Sequence, residues 1–566
     1  MASATPSTQQ PPRADACFYT FSNTNEPRLS ERPTDVRDSS FQFRDIKAMP
    51  DGDATHTSYR KFKGRIRTWP GMLLVLVLVA GATVGIVYYA KQSRDASLAR
   101  QIEALKAEAA RKSIRDGTVN PTTTNLDGKS VDELLEIARG PKEYPPTKCQ
   151  LPNYESRDGQ IWAVAANGTA IPISMKGINW SGLETEDQAP EGLWDSDESG
   201  TTITNLVDLL AKHKFNSVRL PVTVWNILDN SPLPKAVINR NTNRALDLTN
   251  HMSLIQTVTK ALAFRGISVM FSMHRLKYNE NGGLWYSPTT TVEQFMTSID
   301  KLTAALCSND YWNVLGIDLK NEPADATWGT GGPDDFKLGA EAIAARMLKG
   351  CPKWLAFVEG VYKGGPHSVT VDGKKFSYGD WYGGALQNAK TAPIQLQAPH
   401  KVVYAPHYYT PAVYPQAYFY DNVVVAPDGS YAQYDEVSDT ALQARVDATM
   451  HDMFGFLLDG TKGPAVVLGE FGGLYTKDAH AGKTTQRCTI ATMKSMLKNG
   501  YAGGYLWTIN PNSRYDFNPA SKKIEVKEGL MNDDWRSVNE PFLKALEVLD
   551  TLPNLQPMPC FPVKQV

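Results

Sequence analysis

Residues 314–323 read VLGIDLKNEP and residues 465–470 read AVVLGE. In each, an apolar, β-branched run ends abruptly on a carboxylate, Glu322 in the first and Glu470 in the second. A buried strand has no structural use for Asn-Glu-Pro at its end, nor for a glutamate after Val-Val-Leu-Gly. One acidic residue at a strand end is ordinarily a helix cap or a surface charge. Two of them, with Arg219, His274, His407 and Trp507 ending other apolar runs, form a pattern. Those runs are Ile173–Asn179, Asn216–Pro221, Ile267–His274, Val314–Lys320, Trp354–Glu359, Lys401–His407, Ala465–Glu470 and Gly503–Trp507. Helix-like stretches alternate with them, among them Ile203–His213, Leu254–Phe264, Val292–Cys307 and Phe336–Leu348. Eight βα repeats over about 400 residues predict an α/β fold, a (β/α)8 TIM barrel with insertions, whose strand C-termini converge on one face. Ahead of the first repeat, Ile161–Ala165 and Ala170–Ile173 flank Asn167-Gly168, a hairpin signal expected to close the barrel floor.

Two carboxyl groups at the mouth of a barrel suit glycoside hydrolysis, which needs one on each side of the scissile bond. Glu322 is then the acid/base, with its pKa raised so that it protonates the leaving oxygen, and Glu470 the nucleophile, ionised beside Arg219. A separation of about 5–5.5 Å would mean retention of anomeric configuration.

Further stretches appear in a fixed order: GINWSGLET (177–185), SVRLPV (217–222), FSMHR (271–275), LWY (284–286), GIDLKNEPADATWG (316–329) and FVEGV (357–361). They continue with WYGGALQNA (381–389), HYYTPAVYP (407–415), LGEFGG (468–473), LWTINPNS (506–513) and GLMNDDW (529–535). On this ordered set the chain resembles glycoside hydrolase family 5 over residues 158–550, and within it the bacterial endo-β-1,4-glucanases. The resemblance implies that Glu322 and Glu470 are catalytic and that Asn321 bonds the sugar 2-hydroxyl. It further implies that Arg219 orients Glu470, that His274 and His407 line the reacting subsite, that Tyr409 donates to the nucleophile and that Trp507 stacks on sugar. Trp180 and Trp285 are expected in the cleft walls. The chain departs from the family pattern at Ile509, where relatives carry a second Trp, and at Tyr408, where they often carry Asp. It also lacks their loop cysteines near the cleft.

Upstream, Gly71 to Ala90 carries no charged residue. Twenty helical residues span about 30 Å, the thickness of a hydrocarbon core. Arg60, Lys61, Lys63, Arg65 and Arg67 precede this stretch, whereas Lys91, Arg94 and Arg100 follow it more sparsely. The positive-inside rule therefore predicts a type II membrane protein in contact with the lipid bilayer through residues 70–90. Residues 1–69 form a disordered cytosolic tail, 91–148 a helical stalk and linker, and 149–566 the catalytic domain, extracellular or lumenal, with the plasma membrane favoured over the Golgi. Leu98, Ile102, Leu105 and Ala109 have a spacing that would seed a weak stalk dimer. No carbohydrate-binding module follows the barrel before Val566, which suits a tethered enzyme acting on the cell's own wall.

The 59 Lys and Arg against 60 Asp and Glu give no electrostatic reason to expect a nucleic-acid partner. The six cysteines are scattered, without zinc-ligand spacing, so no metal is expected. Hydrolysis needs only water, so no cofactor is expected either. Cys307 and Cys351, each just before a strand in consecutive repeats, are possible neighbours; Cys149 and Cys560 bracket the domain, and Cys488 is left over. Of two sequons, Asn167-Gly-Thr falls on a turn and Asn179-Trp-Ser lies close to the cleft. A polysaccharide β-glucan is the expected partner. The alternatives are a transglycosylase, a mannanase or β-1,3-glucanase on the same barrel, or a catalytically silent glucan-binding surface protein.

Overall fold

The computed structural model describes residues 68–115, 129–234, 237–362, 366–460 and 463–563. The tail expected over 1–69, apart from its last two residues, its basic cluster and the Thr/Pro stretch near 118–124 lie outside the described residues. Two units are distinguished, Thr20–Ala104 and a larger one that contains Leu105–Val566. The described part of the first belongs to helix α1, Thr68–Arg115. Its segment Trp69–Glu108 is long and apolar enough to cross a membrane, and its apolar window is unburied. In the larger unit, α2 (Val131–Arg139) begins at a Ser130–Glu133 capping box. Arg139 pairs with Glu108 at 2.9 Å.

The core is a parallel barrel. Its strands are β1 (Met175–Asn179), β2 (Ser217–Thr223), β3 (Ser268–Arg275), β4 (Val314–Asp318), β5 (Leu355–Val358), β6 (Val402–Tyr404), β7 (His407–Tyr409), β8 (Leu468–Gly472) and β9 (Gly503–Leu506). Apart from the short interval between β6 and β7, every ladder is parallel, in the order β6-β5-β4-β3-β2-β1-β9-β8-β7. β6 and β7 stand at opposite ends of that order because they are halves of one interrupted strand. β6 pairs with β5, β7 pairs with β8, and a Tyr404–Val466 bridge closes the circle. The interruption falls at Pro406, which has no N–H to offer a ladder. Its neighbours still bond both sides: Ala405 N–H donates to Val358 O at 2.8 Å, and Pro406 O accepts from Gly469 N–H at 3.0 Å.

Side-chain caps start the crossover helices. Thr202 caps α3 (Ile203–Lys212), Asn250 caps α4 (His251–Phe264), and a Thr291–Gln294 capping box opens α5 (Val292–Leu306). Asp335 caps α6 (Phe336–Gly350) and Ser438 caps α7 (Asp439–Met453). α8 (Thr484–Lys498) and α9 (Glu540–Ala545) complete the outer layer. The fifth crossover departs from the expected βα repeat. Between β5 and β6 it holds a hairpin, His367–Val371 with Lys374–Tyr378, and a short 3-10 turn, Gln387–Lys390. The Asp372-Gly373 turn explains this: both residues have positive φ, 49° and 76°, and Val-Thr-Val and Lys-Lys-Phe flank them.

The hairpin expected around Asn167-Gly168 forms, as part of a three-stranded sheet with Asn153–Arg157. It lies across the barrel floor. Tyr154 N–H bonds Lys353 O, Ser156 N–H bonds His400 O, and the Ser156 hydroxyl accepts from Ala465 N–H. Lys353, His400 and Ala465 all lie shortly before barrel strands. Cys149–Cys560 and Cys307–Cys351 form disulfides, and Cys488 is free and buried.

Candidate active site

Register brings the polar strand ends together. Asn179 on β1 is the partner of Arg219 on β2, and His407 on β7 is the partner of Glu470 on β8. At the centre stands Arg219, fully buried. Nη1 donates to Asn179 Oδ1 at 2.9 Å and Glu470 Oε1 at 2.5 Å. Nη2 donates to Ser272 Oγ, Asp318 Oδ2, Asn321 Oδ1 and Glu359 Oε1 at 2.8, 2.7, 2.8 and 3.2 Å, and Nε reaches Asp318 Oδ2 at 3.0 Å. Burial by itself would lower this guanidinium's pKa, but the charges of Asp318, Glu470 and Glu359 outweigh it and raise the pKa.

The two glutamates meet across the mouth, with one carboxyl oxygen of Glu322 within 4.8 Å of one of Glu470. Their environments differ. The Glu322 side chain is 26% exposed and that of Glu470 only 4%. Glu470 accepts from Arg219 and from the Tyr409 hydroxyl. Burial raises its carboxyl above the ordinary value and Glu322 adds to this, whereas His407 and Arg219 pull it down. Glu322 sits in the left-handed region at φ 45°, a strained position for a residue with a side chain. Its N–H is held by Glu359 Oε2 at 2.8 Å.

His407 bridges the acids. Nδ1 is 3.2 Å from Glu322 Oε1 and 3.6 Å from Glu470 Oε2, and Nε2 is 3.0 Å from Glu359 Oε1. Burial opposes its charge, but Glu359, Glu470 and Glu322 together raise its pKa well above the ordinary value. His274 goes the other way. Burial, then the charges of Arg219 and Arg275, hold it well below the ordinary value, so it is neutral, stacked on Trp507 at 5.7 Å and 7°. Two sets of ligand-type atoms lie close enough to share a cation, Asp318–Glu359–His407 and Glu322–His407–Glu470. Arg219 already supplies positive charge to Asp318, Glu359 and Glu470.

Eight of the ten residues singled out in the sequence therefore converge: Glu322, Glu470, Arg219, His274, Asn321, His407, Tyr409 and Trp507. Trp180 is fully buried, and its Nε1 donates to Glu191 O at 2.9 Å. Trp285 is 5% exposed and packs on Phe336 and Tyr286, with its ring pressed against Gly339 of α6. The departures at Ile509 and Tyr408 are both fully buried, Tyr408 with its hydroxyl bonded to Thr449 and Tyr418. Asn179 is also fully buried, which removes its sequon from use. Sequence reading missed Glu359, Asp318, Asn179 and Ser272 as site members. Glu359 had the same signal as Glu470, an acid ending an apolar run.

The family model for cellulase (glycosyl hydrolase family 5) matches residues 164–513. An endoglucanase of Paenibacillus polymyxa is 27% identical over 370 residues, covering 65% of this chain and 80% of its own. The major extracellular endoglucanase of Xanthomonas campestris pv. campestris is 29% identical over 385 residues, covering 67% and 68%. Among solved structures, an endocellulase from Pyrococcus horikoshii in complex with cellotetraose is 27% identical with a TM-score of 0.56, covering 71% of this chain and 99% of its own.

Proposed function

The chain belongs to glycosyl hydrolase family 5, and from that premise we propose that it is a membrane-anchored endo-β-1,4-glucanase working by double displacement. That it is an endoglucanase-type glycosidase follows from the family and its relatives. The observation that carries the retaining mechanism is the approach of a Glu322 carboxyl oxygen to within 4.8 Å of one of Glu470, which suits the short carboxyl separation that direct attack requires.

In the first step Glu470 attacks the anomeric carbon while Glu322 gives its proton to the leaving oxygen, and a covalent glycosyl–enzyme forms. In the second, Glu322 takes a proton from water, which attacks the same carbon and frees Glu470. Arg219 and Tyr409 hold the nucleophile in place and counter the effect of burial on it. The carbonyl oxygen of Asn321 is taken by Arg219, which leaves its NH2 to donate to the sugar 2-hydroxyl. Trp507, backed by the neutral ring of His274, offers a flat face to a sugar.

The β-1,4 linkage rests on relatives named as endoglucanases and on the cellotetraose bound by one of them. Anchoring rests on the apolar length of α1, with the charge asymmetry around it directing the barrel outward. Two disulfides in the barrel unit agree with an oxidising compartment. A tethered β-glucanase outside the membrane suits wall remodelling or polysaccharide catabolism. The test uses the full chain in detergent beside Glu470→Ala, measuring reducing ends released from β-1,4-, mixed-linkage and β-1,3-glucans and from mannan. Release from β-1,4-glucan that vanishes in the variant supports the reading. Transfer products in place of reducing ends would point to a transglycosylase, and silence on all four would sink the hydrolase. Extraction of the chain by alkaline carbonate would sink the anchor.

A further inference from the structure

Behind the proposed acid/base lies a carboxyl pair that the two-step chemistry does not use. Asp318 ends β4 and Glu359 follows β5, both with no exposure. A carboxyl oxygen of each lies within 4.8 Å of one of the other. Burial and closeness together favour a proton on one of the pair, against the countercharge of Arg219.

The donors around them say which. Both oxygens of Glu359 accept from donors: Oε2 from the Glu322 N–H at 2.8 Å, and Oε1 from Arg219 Nη2 at 3.2 Å, with His407 Nε2 3.0 Å away but outside hydrogen-bond geometry. Asp318 is lopsided. Its Oδ2 accepts twice from Arg219, at 2.7 and 3.0 Å, while its Oδ1 is buried and meets no donor among the described residues. A buried oxygen without a donor, on a carboxyl group beside another carboxyl group, is where a proton belongs.

We propose that Asp318 is a positioning residue that works as a neutral carboxylic acid, donating its proton to Glu359 and through it fixing Glu322. This rests on the reading of Glu322 as the acid/base. Glu359 so held acts on Glu322 twice: it anchors the strained backbone N–H, and it faces the imidazole whose other nitrogen lies 3.2 Å from the Glu322 carboxyl. Burial, reinforced by the Glu359 charge and opposed by Arg219, pushes the Asp318 carboxyl up to about 8. The other groups facing it are His407 from β7, Tyr505 from β9, whose hydroxyl bonds Ser217, and Lys320, two residues along the chain. Lys320 is held down to about 8, chiefly by burial, and donates to Asn321 O. Above that range the ionised pair repels, and the brace on Glu322 loosens.

The first test needs no substrate. Infrared spectra of the full chain carrying isotope-labelled aspartate should show a label-shifted carboxylic-acid carbonyl band at neutral pH that disappears as pH is raised past about 8. Glu470 and other glutamates do not carry the label. Among the described residues, Asp318 is the aspartate whose carboxyl is pushed up. The second test is kinetic. Asp318→Asn replaces a neutral donor with a neutral donor and should recover most of the kcat that Asp318→Leu loses at neutral pH, without the alkaline change assigned to Asp318. Asp318→Leu, with no donor, should lose about 100-fold or more. Absence of the labelled band at neutral pH overturns the proposal. So does Asp318→Asn falling as far as Asp318→Leu, the outcome for an ionised partner of Arg219. If the wild type hydrolyses no glucan, the functional reading fails, and the infrared result still decides this one.

Discussion

Arg219→Met tests the site at its centre. The side chain keeps similar length and loses all five N–H donors. Seven hydrogen-bond contacts to six side chains disappear, three of those side chains being carboxyl groups. Breaking a buried pair by removing one partner costs about 3–5 kcal/mol. For a catalytic domain of roughly 400 residues, at about 2.1 cal/mol/K per residue, that lowers Tm by about 4–6 °C. The kinetic consequence is more specific. Glu470 must be an anion to attack, and Arg219 is one of the groups holding its carboxyl down against burial and Glu322. A hydrogen bond to a charged group is worth about 1.5–3 kcal/mol. Its loss raises the Glu470 pKa further. The ionised fraction at a given acidic pH then falls, and the acid limb of kcat/KM moves upward. The assay is kcat/KM on soluble β-1,4-glucan across pH, beside thermal unfolding of the same protein. An acid limb that stays in place while activity drops equally at every pH would refute the electrostatic role and leave Arg219 a purely geometric one.

Glu322→Ala should lose about 100- to 10,000-fold on glucan yet cleave an aryl glycoside whose leaving group needs no proton, accumulating a glycosyl–enzyme visible by mass; equal loss on both substrates would contradict the acid assignment. Replacing Cys307 and Cys351 by Ala opens a link spanning a separation of 44 residues, for which loop-closure entropy gives about 4 kcal/mol. An unchanged urea midpoint would show that the reduced chain is already restrained there. Asp318→Asn should flatten the fall of stability with pH. Below the ordinary aspartate value of 3.8 both folded and unfolded states hold the proton; between there and about 8 only the folded state does. Stability thus declines with rising pH by up to about 1.4 kcal/mol per unit in the wild type and levels off above that window. Chemical unfolding at several pH values measures the slope, and identical slopes in the two proteins would rule out a neutral Asp318.

The barrel was legible because its strands announce themselves twice, by apolar runs and by the polar residue that ends each. Asn321, Glu322 and Glu470 needed only that rule and the convergence of strand ends. Contacts across the mouth were not legible. No spacing in the chain says that His407 stands between Glu322, Glu470 and Glu359, because that depends on the register of β7 on β8 and on a strand broken at Pro406. Asp318 hid inside an apolar run, where a strand reading counts it as one inward position among several. The orientation of Trp180 was not legible for a different reason. A tryptophan one residue past a strand end can turn toward the cleft or back into the core, and here its N–H finds a carbonyl in its own loop.

The missing helix of the fifth crossover and the buried carboxyl pair are one feature seen from two sides. Gly383, in the loop between the hairpin and the 3-10 turn, has φ 73°, and a Cβ there would lie 2.4 Å from Glu359 Oε2 and 3.2 Å from the His407 ring. The loop backbone therefore lies directly against both groups, and Gly360 N–H locks it by donating to Gly383 O at 2.7 Å. Trp381 in the same loop packs edge-on at 6.2 Å from Tyr409, the residue that donates to Glu470. A regular helix at this place would present Cβ-bearing residues and could not approach so closely. Water reaching Glu359 would screen the pair, let Asp318 ionise and relax the hold on the left-handed Glu322. The irregular crossover is thus what keeps dry the carboxylate on which the conformation of Glu322 depends.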